Sequence, residues 1–450
     1  ATTEIYTLSP TRRSSDLFDS IINFIKSCQM QPLMELDFMP KDLQTNGVTG
    51  KPKNWNVWRD LVDSVVTHCI SRYGAKEVES WYWEVWNEYD YAGFWYGTVN
   101  DYDTLYSKAV EGAKKADSLI LIGGPVTTGA GPLQAFLDYC NTNHVKVDFL
   151  SNHDYGGGPG NVSDPINTRN DNRTRAEVIK NSGKKLLSIN SEYNSTYSGS
   201  GGNLQYPNVV SMDSHINAAF VIKSIKLILD DYTSGQYALP DVFSYWTISD
   251  VFDESGPTLG SYIEQHNSIP FGGVFGLITY QGIRKATFNA YKMLHMMGST
   301  RLSLTGGSGE ADGVDGFATL SKDTAQLAVL LCNCYKDFTG TGGDNDVSLT
   351  INNMPFQNGQ LTVRHYRVDS THSNPYSVWL KQGKPTTPDS AQWDSLRAAQ
   401  NLAEVEPQSQ INYSGAAFTK AFTLPRQSVS LLTIDKKTAN RSVPDAKSAQ

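Results

Sequence analysis

Two glutamates in this sequence stand where a pair of carboxyl groups could do chemistry together. Glu88 lies in WYWEVWNEYDYAGFW and Glu192 in KLLSINSEYNS, and each follows a short apolar run typical of a β-strand. Two carboxyls that face each other across a cleft can cleave a glycosidic bond, because one protonates the leaving oxygen while the other attacks the anomeric carbon. A single strand-end glutamate is more often a solvated carboxylate or a partner for arginine. The pair, with asparagine and aromatic neighbours, favours catalysis.

The residues around these glutamates are of types that bind sugars. Asn87 precedes Glu88 and is suited to hydrogen-bond a sugar 2-hydroxyl, a contact that strengthens in an oxocarbenium-like transition state. Trp246 offers a flat apolar face for a pyranose ring, Tyr155 is placed to orient a nucleophile, and His153 fits a ligand contact and a structural role equally well. A dense aromatic cluster surrounds Glu88 and is expected to position the sugar; its members are Trp81, Tyr82, Trp83, Trp86, Tyr89, Tyr91, Phe94, Trp95 and Tyr96.

Helical and strand patterns alternate from residue 18 to residue 298. Apolar strands open near residues 31, 82, 119, 147, 185 and 242, and helical segments alternate with them, among them FDSIINFIKSC from Phe18 and RAEVIKNSG from Arg175. This alternation predicts a parallel sheet. A dinucleotide-binding sheet would carry a G-x-G-x-x-G turn after an early strand, and the sequence has none there. The polar segments WNE, NHDY, NSEYN and YWTISD instead follow four different strands. Active sites of (β/α)8 TIM barrels lie at such strand ends, so we predict this fold.

The strand count also predicts how the two glutamates are placed. The strands LILIGG and VDFLSN lie between them, so Glu192 belongs to the third strand after that of Glu88. Strands three apart in a closed eight-stranded ring face one another across its mouth, which would bring the two carboxyls to opposite sides of a ligand.

Composition narrows the class of ligand. The 450-residue chain has a net charge of −8 and no long run of Lys or Arg, which argues against nucleic acid and anionic membrane surfaces as partners. The most hydrophobic helical segment, INAAFVIKSIKLILDD, is interrupted by Lys223 and Lys226, so no membrane span is expected. The five cysteines show no metal-ligand spacing with the eight histidines, and we predict no metal and no cofactor; Cys332 and Cys334 are expected to be packed thiols.

The sequence resembles glycoside hydrolase family thirty-nine, the retaining β-xylosidase and α-L-iduronidase family. The matching segments run from about residue 18 to 298: MELDFMP, WYWEVWNEYDYAGFW, LIGGP, VDFLSNHDYG, NSEYNS, YWTISDVFDESG and FGGVFGLITYQGIRKATFNAY. The resemblance implies that Glu88 is the general acid/base and Glu192 the nucleophile, with carboxyls roughly 5 to 5.5 Å apart. It also implies that Asn87, His153, Tyr155, Trp246 and Glu254 shape the subsite for the non-reducing sugar.

The activity implied by the resemblance is that of a retaining exo-glycosidase on plant-type oligosaccharides, with β-xylosidase first. Alternatives are an arabinosidase, galactosidase or iduronidase of the same family, and a non-catalytic carbohydrate-binding protein. An iduronidase would need a cation for the substrate carboxylate, and a binding protein would be expected to have lost one of its two glutamates. Tyr89 follows Glu88 where the family commonly has proline, which bears on the sugar more than on the chemistry.

After Gly298 the pattern changes to period-two alternation broken by Gly, Asn, Asp and Pro, with one helical insertion near DSAQWDSLRAAQNLAEV. This predicts a small antiparallel β-sandwich over residues 299–436, followed by a polar tail over 437–450. Such an accessory domain leaves self-association open.

Residues 1–17 fit neither pattern. Only one strand is visible before that of Glu88, whereas the resemblance calls for three, and two further βα units would take about 60 residues. ATTEIYTLS and PTRRSSDL resemble the translation of a short-read sequencing adapter joined to a truncated coding sequence. We therefore expect a catalytic barrel over 18–298 that is incomplete at its N-terminus. Whether the literal chain is active stays open, because the missing strands would also bring sugar-binding side chains to the rim. Residues 1–17 lack the apolar region of a secretory signal, and any such signal would have been lost with the same segment, so secretion and a periplasmic location both stay open.

Overall fold

The computed structural model describes residues 12–157, 162–197, 211–250 and 269–436, with side chains from residue 17 onward. The chain divides into two compact units. The first comprises Ala1–Asp154, Asn170–Tyr193 and Ser234–Ser244, and the second comprises Tyr155–Arg169, Asn194–Thr233 and Tyr245–Gln450. The predicted boundary at Gly298 falls inside the second unit.

The first unit is built on a parallel sheet whose strands follow one another in chain order. The first strand pairs in parallel with the second, the second with the third and the third with the fourth. The strands are β1 Leu33–Leu36, β2 Tyr82–Val85, β3 Leu121–Thr127, β4 Phe149–Tyr155, β5 Leu187–Asn194 and β6 Val242–Tyr245. The predicted α/β class is confirmed, and β5, which carries Glu192, is the third strand after β2, as predicted.

Helices alternate with these strands. They are α1 Arg12–Ser27, α2 Trp55–Tyr73, α3 Ala75–Val78, α4 Val99–Ala116, α5 Leu133–Thr142 and α6 Pro165–Ser182. Asn54 caps the N-terminus of helix α2, where its side chain accepts from the Asn56 backbone N–H. Gly74, with φ of 91°, caps the C-terminus. It packs closely on α4, because a Cβ at Gly112 would lie only 2.3 Å from the Arg59 carbonyl oxygen.

Two helix starts differ from the sequence expectation. Helix α1 begins at Arg12, six residues before the predicted start at Phe18, so part of segment 1–17 is helical. Residues 1–11 of that segment and the tail 437–450 lie outside the described residues. Helix α6 begins at Pro165, although only the part from Arg175 was predicted. Its first turns, PINTRNDNR, are so polar that the helical period of apolar residues does not show.

The second unit contains antiparallel strands, as the period-two pattern predicted. The strands are β7 Thr300–Leu302, β8 Gly313–Leu320, β9 Gln326–Cys334, β10 Asn345–Ile351, β11 Gly359–Val368, β12 Ala403–Glu404, β13 Ser409–Tyr413, β14 Phe418–Leu424 and β15 Ser428–Lys436. One sheet has the order β12-β11-β15-β9-β8-β7 with β13 also paired to β11, and β10 pairs with β14. The helices are α7 His215–Thr233, α8 Ala286–His295, α9 Pro375–Lys381 and α10 Ser390–Ala399.

The larger sheet is apolar on both faces. In β9, Leu327 and Val329 pack in the core shared with β10 and β14, whereas Leu330 and Cys332 pack in the core shared with α7 and α8. Both predicted packed thiols, Cys332 and Cys334, are buried. No helix within the described residues has the length and hydrophobicity needed to cross a membrane.

Candidate active site

Three predicted site residues meet in the first unit. Glu88 follows β2, His153 lies in β4 and Glu192 lies in β5. His153 Nδ1 is 2.7 Å from Glu88 Oε1 and 3.4 Å from Glu192 Oε2. One oxygen of each glutamate and the ring nitrogen all lie within 4.8 Å of one another. The two carboxyls are therefore close enough to act on one bond.

His153 provides the positive charge between the two glutamates. Its side chain is 1% exposed, and this burial lowers its pKa, but the negative charges of Glu192, Glu88 and Glu84 outweigh burial and raise the pKa to about 9. The ring is thus an imidazolium at neutral pH, and Nδ1–H donates to Glu88 Oε1. His153, which the sequence left undecided between ligand contact and structural role, is a charge partner of both glutamates.

Among the residues that the structure describes, these three form the group whose ligand atoms are close enough to hold a metal ion. A metal would need His153 in its neutral form, because a protonated ring nitrogen has no free lone pair. The proton on Nδ1 already supplies positive charge between the carboxylates at neutral pH. The arrangement is therefore suited to proton transfer.

Glu84, a buried acidic residue of β2, was missed by the sequence reasoning. It is 0% exposed, and burial raises its pKa to about 7, against the His153 charge and the hydroxyls of Ser151 and Ser191, which lower it. A glutamate inside the apolar strand YWEVW was the available signal, because a strand that buries both faces seldom contains a carboxyl without a reason.

Asp37 brings a further carboxyl to this side of the sheet. Glu35 of β1 is aligned with Glu84 of β2, and Asp37 follows two residues later on the same face. Burial, followed by the charges of Glu192 and Glu84, raises the pKa of Asp37 to about 7. The first unit therefore gathers more negative than positive groups around Glu192, with His153 as their common counter-charge.

The tryptophans near Glu88 form core and do not offer faces to a ligand. Trp81, Trp83 and Trp86 are 0% exposed, and Trp95 is 4% exposed. Trp86 Nε1 donates to the Phe94 carbonyl at 3.0 Å, so the ring holds its own segment in place. The expectation that this cluster positions the sugar is wrong for these four residues, because their neighbours in sequence gave no measure of how deeply the strand is buried.

A buried polar network joins helix α6 to β4 and β5. Arg175 of α6, which is 0% exposed, donates from Nε to Ser188 Oγ at 2.8 Å and from Nη1 to Asn152 Oδ1 at 2.5 Å. Asn190 donates to Asp154 Oδ2 at 2.8 Å. Asn152 and Asp154 alternate with His153 along β4, whereas Ser188 and Asn190 have the same parity as Glu192 in β5. The network fixes the strands that carry the two site residues, and the sequence reasoning did not find it.

The remaining predicted residues fall in different parts of the chain. Asn87 is in the first unit and is 2% exposed. Tyr155 and Trp246 belong to the second unit, where the Tyr155 ring lies 5.9 Å from that of Phe275 and the Trp246 carbonyl accepts from Asn194 Nδ2 at 2.7 Å. Glu254 lies outside the described residues. The sugar contacts predicted for these four residues stay predictions.

A family model and two similar proteins agree on the family of this chain. The profile described as "Glycosyl hydrolases family 39" matches residues 14–415. A beta-xylosidase of Caldicellulosiruptor saccharolyticus is 29% identical over 399 residues, covering 85% of this chain and 76% of the relative. A beta-xylosidase of Geobacillus stearothermophilus is 28% identical over 445 residues, covering 93% of this chain and 80% of the relative.

A solved structure agrees with this family. The crystal structure of a monomeric beta-xylosidase from Caulobacter crescentus CB15 matches with a TM-score of 0.72 and 28% identity, over 90% of this chain and 81% of that one. The similarity therefore extends over nearly the whole chain and includes both units. The chain belongs to glycosyl hydrolase family 39, and it is a glycoside hydrolase.

Proposed function

We propose that this protein is a retaining exo-acting β-xylosidase in which Glu88 is the acid/base and Glu192 the nucleophile. The observation that carries the proposal is the short separation of the two carboxyls, whose nearest oxygens lie within 4.8 Å. Retaining enzymes place their carboxyls about 5 to 5.5 Å apart, whereas inverting enzymes leave about 6.5 to 9.5 Å to admit a water molecule. The finer fold proposed with it is a (β/α)8 barrel followed by a β-sandwich.

The reaction follows from the positions of the three residues. Glu88 reacts in its protonated form: it gives its proton to the leaving oxygen while a Glu192 oxygen bonds to the anomeric carbon, so the sugar becomes an ester of Glu192. Glu88 is then a carboxylate that accepts the His153 N–H at 2.7 Å. A water molecule enters, Glu88 takes its proton, and the resulting hydroxide displaces Glu192 from the anomeric carbon. The imidazolium thus stabilises Glu88 in the state in which it must act as a base.

Xylose is the proposed sugar because the β-xylosidases are the relatives that match most of the chain. Asn87, Tyr155, Trp246 and Glu254 are proposed to contact it, with Asn87 on the 2-hydroxyl. An arabinoside or galactoside fits the same chemistry. An iduronide fits less well, because none of the proposed site residues is a lysine or arginine that could pair with the substrate carboxylate. A non-catalytic binding protein would have no need to keep two carboxyls at this separation.

The test is covalent labelling with a 2-fluoro-xylosyl fluoride, whose glycosyl ester hydrolyses too slowly to escape detection. The experiment uses the chain as printed and a second form in which the source gene's own codons precede that of Phe18. We expect a label on Glu192, found by peptide mass spectrometry, with loss of activity. Glu192→Gln should not be labelled, whereas Glu111→Gln, at a surface pair with Lys108, should react normally.

The outcomes separate the parts of the proposal. A label on another residue would refute the assignment of the nucleophile. Absence of label together with cleavage of another aryl glycoside would refute xylose and keep the reaction. Absence of hydrolysis of any glycoside by either form would refute the enzymatic proposal and favour the binding protein.

A further inference from the structure

Glu88 is held in an unusual backbone conformation. Its φ angle is 44°, in the left-handed region that residues with a Cβ seldom adopt. Such a conformation persists only where the surrounding contacts impose it. The Glu88 N–H donates to the Val126 carbonyl at 2.8 Å, and its own carbonyl accepts the Tyr91 N–H at 2.9 Å. The direction of the Glu88 side chain therefore depends on how the segment after it is restrained.

Tyr89, the next residue, supplies one restraint through its ring. It stacks on Tyr102 of α4 with ring centroids 4.0 Å apart and planes 13° from parallel. This separation is smaller than that of the other aromatic contacts near Glu88, such as the 5.0 Å between Trp86 and Trp95. Because Tyr89 is bonded to Glu88, a rotation of the Glu88 backbone would slide the two rings apart.

The Tyr102 ring is held in place because its hydroxyl is hydrogen-bonded to both neighbouring strands. Its side chain is 0% exposed, and its hydroxyl is shared between the Val85 carbonyl at 3.0 Å and the Pro125 carbonyl at 3.1 Å. Val85 ends β2, three residues before Glu88, and Pro125 lies in β3 beside Val126. The Tyr102 ring on which Tyr89 stacks is thus hydrogen-bonded to the two segments that position the Glu88 backbone.

Asp90 restrains the backbone on the C-terminal side of Tyr89. Its carboxylate accepts from the Thr128 backbone N–H at 3.0 Å and from the Thr128 hydroxyl at 2.8 Å. The Glu88–Asp90 segment is therefore connected at two points to the end of β3 and the residue that follows it, Val126 and Thr128. Ordinary core packing would stabilise the unit without favouring any direction of the Glu88 side chain, whereas these contacts all fix the backbone on either side of it.

We propose that Tyr89 is a positioning residue that holds the Glu88 carboxyl at the leaving-group oxygen by stacking on Tyr102. It acts through Glu88 and does not contact the sugar. This inference rests on the proposed function of Glu88 as acid/base. Its consequence is that loss of the stack should impair proton donation more than nucleophilic attack, because Glu192 lies on a different strand and does not depend on Tyr89.

The experiment compares kcat/KM for two aryl β-xylosides with leaving groups of different acidity. 2,4-Dinitrophenolate leaves without protonation, whereas phenolate needs the acid, whose contribution to rate is about 10²- to 10⁴-fold. For Tyr89→Ala we expect a fall of about 10- to 100-fold on the phenyl glycoside and of less than about 3-fold on the dinitrophenyl glycoside. Tyr89→Phe, which keeps the stack, should stay close to wild type on both.

A matched control tests for simple destabilisation. Tyr73→Ala removes a half-buried ring that contacts Trp81 at 5.4 Å, and it should not distinguish the two leaving groups. An equal fall of Tyr89→Ala on both substrates, or no fall on either, would overturn the positioning role. Should Tyr89→Ala show no cooperative melting, Tyr102→Phe, which removes only the hydroxyl, must show the same leaving-group preference for the proposal to stand.

Glu88→Ala, measured alongside, separates this inference from the proposed function. If Glu88→Ala hydrolyses the phenyl glycoside as well as wild type, Glu88 is not the acid and the proposed function fails. If Glu88→Ala shows the leaving-group preference, with azide restoring turnover of the dinitrophenyl glycoside, and Tyr89→Ala does not, only the positioning role fails.

Discussion

Replacing His153 by glutamine should change how the stability of the first unit depends on pH. The histidine is buried between Glu88 and Glu192, at 2.7 and 3.4 Å, and its pKa is raised to about 9 by their charges and that of Glu84. Glutamine keeps a hydrogen-bond donor in this place but carries no charge at any pH. The difference between the two proteins therefore isolates the charge of the imidazolium.

The magnitude follows from the pKa values. A rise from 6.5 in the unfolded chain to about 9 in the folded protein, at about 1.36 kcal/mol for each pH unit, corresponds to about 3 kcal/mol. Because the folded pKa is the higher one, this stabilisation is complete below about pH 6.5 and is lost as pH rises through about 9. The stability advantage of wild type over His153→Gln should therefore shrink by about 3 kcal/mol between pH 6 and pH 9.5.

Urea unfolding followed by tryptophan fluorescence suits this measurement. Six of the nine tryptophans belong to the first unit, so the signal reports mainly on it: Trp55, Trp58, Trp81, Trp83, Trp86 and Trp95. Glu84 titrates near pH 7 in wild type, so the comparison is made between proteins at each pH. His144→Gln, at an exposed histidine, should follow wild type. A difference between wild type and His153→Gln that is the same at both pH values would refute the reasoning.

Three further predictions follow from buried charges. The free energy of unfolding of Asp37→Asn should equal that of wild type at pH 4 and exceed it at pH 8 by up to about 4 kcal/mol. The reason is that the pKa of Asp37 is about 7 in the folded protein and 3.8 in the unfolded chain, so ionisation above pH 3.8 destabilises the wild-type fold. Urea unfolding at the two pH values measures this, and an unchanged difference would contradict it. Arg175→Met should destabilise the protein by about 1 to 3 kcal/mol for each of Ser188 and Asn152, which lose a buried hydrogen-bond donor; thermal melting checks this against the exposed Arg397→Met. Lys285→Met should cost about 3 to 5 kcal/mol by leaving Asp213 and Asp250 buried without their shared lysine, 2.7 and 2.8 Å away, and a melting temperature equal to that of Lys108→Met would show the reasoning to be wrong.

The sequence alone was informative wherever structure depends on the periodicity of apolar residues along the chain. In a βα repeat the order of strands in the chain becomes their order in the sheet, so counting strands was enough to place Glu192 three strands after Glu88. The pattern around β9 likewise predicted a strand, although its burial on both faces was not foreseen. Helix α9 could have been found in the same way, because Asn374 caps it and Pro375 opens it, a pattern typical of a helix N-terminus.

The electrostatic character of the site was decided by the tertiary structure. The pKa of His153 depends on how deeply β4 is buried and on carboxyls that come from other strands, and neither quantity is carried by the residues next to it in the chain. The same holds for Asp37 and Glu84, which the sequence presents as single acidic residues in apolar strands. The amino-acid sequence thus determined which residues stand at the strand ends; their protonation and orientation arise from groups distant in sequence, because charge and burial act through space.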